Sequence, residues 1–124
     1  MTRALLFAAF LATIVLPGAA RAAEAAEDPK RTETIKGLVR IVGAQAGIVL
    51  YCRKLYTIDD TVSEGLSRTV RRALDAALGH SRAGAAIAEE GRRVAEEIAA
   101  VGAEQWCADQ RDILNTDGVR VFID

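Results

Sequence analysis

The stretch TIKGLVRIVGAQAGIVLYC, residues 34 to 52, decides the fold. Ile35, Leu38, Val42, Val49 and Cys52 fall on one helical stripe, and Ile41, Ile48 and the nearby Leu55 recur every seven residues on the adjacent one. A stripe that wide predicts a helix buried on much of its circumference. Lys36 and Arg40 lie within it, so the uncharged run from Ile41 to Cys52 is only 12 residues, against the roughly 20 that a spanning helix needs. No stable membrane span is expected in this part of the chain. Gly43 and Gly47 stand four apart, and the absence of side chains there predicts close approach by a neighbouring element. Glycines 37, 65, 84, 91 and 102 also interrupt helical patterns. Each costs about 1 kcal/mol relative to alanine in a regular helix, so each calls for an offset.

Downstream, DDTVSE at residues 59 to 64 offers Asp60 or Thr61 as a helix cap, with Glu64 placed to complete a capping box. Val62, Leu66, Val70, Ala73, Leu74, Ala77 and Leu78 then keep a 3.6-residue period until Gly79 ends it. After the turn GHS, with Ser81 as the expected cap, a third pattern runs through Ile87, Val94, Ile98 and Val101. Its outer face predicts the pairs Glu89 with Arg93, Arg92 with Glu96 and Arg93 with Glu97. The pattern bends or breaks near Gly102 and continues to Leu114, followed by the turn NTDG. The tail VRVFID has strand-type residues without a second strand to pair with, which predicts an extended segment with Phe122 tucked in. The fold expected is an all-α, small antiparallel bundle of three to four helices spanning residues 34 to 124.

Upstream, MTRALLFAAFLATIVLPGAARA has a basic start at Arg3, an apolar run from Ala4 to Leu16, the breakers Pro17 and Gly18, and small residues Ala20 and Ala22. These are the parts of a cleaved signal peptide over residues 1 to 22. Residues 23 to 33, charged and interrupted by Pro29, read as a flexible N-terminal segment. Without residues 1 to 22, 102 residues remain, carrying 14 basic and 17 acidic side chains. That size holds a single core, and the interleaved charge excludes nucleic-acid binding. The expected location is periplasmic or secreted, where two cysteines are first of all one disulfide, Cys52 with Cys107. By loop closure, a bridge across 55 residues contributes about 4 kcal/mol.

The remaining chemistry is sparse. There is no Cys-x-x-Cys-His for haem, no Cys-x-x-Cys for thiol redox, and one histidine, His80, in a glycine-flanked turn. No nucleophile, base and orienting group converge, so no enzyme is expected and no cofactor. Two candidate sites follow. Tyr51, Tyr56 and Trp106 flank the cysteines and, if exposed, form a binding face for an unknown protein partner. Asp109, Asp112, Asn115, Asp117 and Asp124 cluster near the last helix end, and ILNTDGVRVFID partly follows a calcium loop, with Ile113 at its first position. They offer a calcium-like hard cation a set of oxygen ligands. The leading expectation is a non-enzymatic exported protein acting by protein contact, as an envelope accessory or chaperone-like module. In outline, a secreted helical domain with one long-range disulfide resembles the acid-stress chaperones of the bacterial periplasm. The alternative is a small acidic solute- or metal-cation-binding protein of that compartment.

Overall fold

Asp28 accepts a hydrogen bond from the Lys30 amide at 3.0 Å, and Pro29 occupies the first helical position, where its missing N–H costs nothing. Helix α1 therefore runs Pro29–Tyr51, starting earlier than the periodicity predicts. Pro29 opens this helix and does not interrupt a flexible lead-in. The computed structural model describes residues 28 to 124; the expected signal peptide and residues 23 to 27 lie outside the described residues.

Three more helices follow: α2 (Asp60–Leu78), α3 (His80–Val101) and α4 (Ala103–Thr116), with no strand among the described residues. The described residues form an all-α bundle of four helices stapled by a Cys52–Cys107 disulfide, Cα to Cα 5.7 Å. The cap of α2 is Asp59, whose carboxylate accepts from the Val62 amide, one position before the expected Asp60. Asp60 instead pairs with Arg53. Single glycines join α2 to α3 and α3 to α4: Gly79 (φ 81°, ψ 154°) and Gly102 (φ 90°, ψ 144°). That backbone region is close to glycine-only, so each residue ends one helix and starts the next without a loop. His80 is consequently the first residue of α3 and Ser81 lies within its first turn, not at its cap.

Residues Glu33–Asp124 form one unit with two apolar clusters. Val42, Val70, Leu74 and Ala83 fill one, where α1 meets the α2–α3 joint. Ile48, Cys52, Val94, Ile98, Trp106, Cys107, Leu114, Val121 and Phe122 fill the other. Gln45 and Ser63 are both buried, and the Ser63 hydroxyl donates to Gln45 Oε1 at 2.8 Å, so neither polar group is left unsatisfied. α1 is long and apolar enough to cross a membrane by length and composition, yet Val42, Gly43, Gln45, Gly47 and Ile48 are buried in the bundle. Its burial is less complete than the stripe predicts: Ile41, Leu50 and Tyr51 are exposed, as is Leu55 in the turn that follows.

Gly43 and Gly47 do allow close approach. A Cβ on Gly43 would run into Glu90 Cγ, and one on Gly47 would stand 2.7 Å from Trp106 Cη2 and 2.9 Å from Val94 Cγ1. The side chain lodged against Gly43 also explains the ion pairs. Glu90, nearly buried, draws Arg93 to itself, while Arg93 keeps the expected contact with Glu97 at 2.7 Å. Glu89 is thereby left to Arg92, three residues on, in place of the expected partner Arg93.

The tail is extended, with Phe122 buried as expected, but it does find a pairing partner. Asp59 N–H donates to the Val121 carbonyl (2.7 Å) and Ile123 N–H to the Thr57 carbonyl (3.1 Å), forming a one-residue antiparallel bridge between Ile58 and Phe122. A stretch this short carries no periodicity, so the sequence could not announce it.

Candidate functional site

An apolar groove of about 350 Å³ opens between α1, α3 and α4. Its floor comes from Ala44 of α1, Val94 of α3, and Trp106 and Leu114 of α4. Ile41 and Ile113, 36% and 52% exposed, stand at its lips. Each position follows from local structure. Gly43 and Gly47 bring α1 hard against Glu90, Val94 and Trp106 on one side, and the residues one step around the helix, Arg40, Ile41 and Ala44, then face the gap beside that contact. The turn at Gly102 swings α4 back, so that Trp106, Gln110 and Leu114, at four-residue spacing, form one wall.

The rim carries both signs. The Arg93 guanidinium is bound by Glu90 and Glu97, and these two carboxylates hold its pKa above the ordinary arginine value. Arg40 and Asp117 border the same opening. A space of this size with an apolar floor and a few polar groups at its edge suits one or two apolar side chains, or a small apolar molecule. Nothing in it arranges a nucleophile beside a base.

The aromatic residues expected to share a face are separated. Trp106 is 3% exposed and belongs to the core while also lining the groove. Tyr56 is half-buried: its ring meets Phe122 edge-on at 5.5 Å, and the Arg111 guanidinium sits 5.3 Å from the ring centre. Tyr51 alone is exposed, at 42%. The three aromatic residues therefore do not form one exposed face, and the groove contains Trp106 but neither tyrosine.

The oxygen ligands expected for a hard cation are also dispersed. The Asp109 carboxylate accepts from Gln105, the Asp124 carboxylate from the Thr57 amide, Asp117 borders the groove, Asp112 is exposed, and Asn115 shares only with Asp124 the lining of a surface hollow. Among the described residues no three His, Cys, Asp or Glu side chains stand together as metal ligands. Cys52 and Cys107 are paired and fully buried.

Sequence reasoning missed Arg40, Ala44, Gln110 and Ile113. An exposed isoleucine late in α4 and an uncharged run on α1 were the available signals, but a gap between helices depends on how they diverge, which periodicity does not encode. No known protein family, curated protein or solved structure matches this chain.

Proposed function

We propose that this is an exported, non-enzymatic protein that works by contact, seating apolar side chains of a partner or client polypeptide in the groove between α1, α3 and α4. The groove's apolar floor beneath a mixed-charge rim carries this reading. Exposed Ile41 and Ile113 at the lips give an incoming chain apolar surface to bury, each buried methylene contributing about 0.8 kcal/mol. The rim charges leave room for polar groups flanking the anchor, the usual arrangement of a recognition pocket. The disulfide supports the exported location, since such bonds persist in oxidising compartments.

The test is suppression of aggregation of a heat-unfolding client such as malate dehydrogenase. Ile113→Asp changes an exposed lip residue that the core does not need, so the fold persists. The expected result is suppression by the parent protein and its loss in the variant at unchanged melting temperature. Equal behaviour of the two, or no suppression by either, overturns the proposal.

A further inference from the structure

We propose that the C-terminal segment, residues 119 to 124, is a strap that gates reduction of the Cys52–Cys107 disulfide, opening locally while the α2–α3 end of the bundle stays folded. Both cysteines are 0% exposed, so no reductant reaches the sulfurs in the closed state. Two strap residues, Val121 and Phe122, 0% and 2% exposed, share their cluster, beside Ile48, Val94, Ile98, Trp106 and Leu114 of the helices. Tyr56 links strap and disulfide, because its amide donates to the Cys52 carbonyl at 2.9 Å and its ring packs edge-on against Phe122.

The strap is held by few bonds, and most of its polar fastenings are at the surface. Besides the two backbone bonds of the Ile58–Phe122 bridge, the Val119 amide donates to the Leu114 carbonyl at 2.9 Å and the Thr57 amide to the Asp124 carboxylate at 3.2 Å. Arg111 Nε donates to the Asp124 backbone oxygen at 3.0 Å. Its root at Gly118 has a positive φ of 75° that gives a natural pivot. A short extended segment held this way opens at lower free energy than the helices. The other apolar cluster, around Val42, Val70, Leu74 and Ala83, contains no strap residue and does not have to open with it.

Chemically, an incoming dithiol thiolate attacks one exposed sulfur, the other leaves as a thiolate, and the second thiol of the reagent displaces the mixed disulfide. The products are two protein thiols and one oxidised dithiol. Opening is the step that the strap controls. The groove is linked to the same event, since Trp106 in its floor directly precedes Cys107 and Val119 in its wall begins the strap. The strap inference itself does not rest on what the groove binds.

The experiment measures thiol release by dithiothreitol under native conditions, read by alkylation and intact mass, in three variants of the full protein. Ile123→Pro removes the amide that bonds Thr57 while altering a side chain that is 51% exposed. Phe122→Ala removes the buried plug. Leu74→Ala weakens the other cluster. The expected result is reduction faster by on the order of tenfold in Ile123→Pro and more in Phe122→Ala, with Leu74→Ala within about threefold of the parent. Amide exchange around Val70, Leu74 and Ala83 should be unchanged in Ile123→Pro, which keeps the test decisive if Phe122→Ala does not fold. Acceleration by Leu74→Ala equal to that of the strap variants, or no acceleration by Ile123→Pro, overturns the proposal.

Discussion

Gly47 and Gly84 are the same residue type in helix interiors, and they should respond in opposite ways to alanine. At Gly47 the new methyl meets the Trp106 ring at 2.7 Å and Val94 at 2.9 Å, both fixed in the core, so something must shift. Overpacking of this kind costs about 1–3 kcal/mol. At Gly84, exposed and with nothing within 4 Å of the new Cβ, alanine gains helix propensity and restricts the unfolded chain. Gly84→Ala should stabilise by about 0.5–1 kcal/mol, and chemical denaturation of the two variants checks both signs. The four-residue spacing of Gly43 and Gly47 already pointed to a close approach. Which of the seven internal glycines are needed was not legible, because the answer lies in the element opposite: Glu90 and Trp106 stand over two of them, Gly102 turns the chain, and Gly37, Gly65, Gly84 and Gly91 face open space.

At the scale of the element, helix existence was readable and helix ends were less so. Periodicity in α2 and α3 survives intact because each has one side against the apolar clusters, through Val70, Leu74, Val94 and Ile98. The cap of α2 lies one residue before the expected Asp60 or Thr61, at Asp59, and that of α3 two before the expected Ser81, at Gly79. Asp59 won at α2 because its own amide is tied to the Val121 carbonyl, fixing it in the extended conformation a cap requires. Asp59→Ala should therefore cost about 1 kcal/mol, whereas Thr61→Ala, on an exposed first-turn residue, should be close to neutral; thermal melts separate them. Asp60, released from capping, is held by the Arg53 guanidinium, whose hydrogen bond lowers its pKa below the ordinary carboxylate value. A depressed folded-state pKa gives stability that is present above the unfolded value, about 4, and is lost as pH falls through the folded one. The pair is exposed, so the effect is small and screened by salt. Arg53→Gln should melt slightly below the parent at pH 7 in low salt, and the two curves should converge as the pH is lowered past that folded value.

For the whole molecule, the disulfide and the helical class followed from two cysteines, the expected export signal and a 3.6-residue rhythm that returns after each glycine break. The groove did not, because it is a difference between packed surfaces: Gly43 and Gly47 close one side of α1 while the turn at Gly102 leaves the next side open. The same organisation sets what the staple does. Cys52 follows the end of α1 and Cys107 sits early in α4, so the bond closes a 55-residue loop containing α2 and α3. Removing it with Cys52→Ala and Cys107→Ala together frees the unfolded chain, and the loop-closure estimate puts the loss at about 4 kcal/mol, a large part of the 5–15 kcal/mol typical of a folded domain. Because both sulfurs are buried in a cluster with Ile48, Trp106 and Phe122, the two smaller side chains also leave a packing deficit, which adds to that loss. Urea denaturation distinguishes the two contributions. An uncrosslinked unfolded state exposes more surface, so the slope with denaturant should rise as the midpoint falls; a lower midpoint at unchanged slope would assign the loss to packing in the native cluster alone.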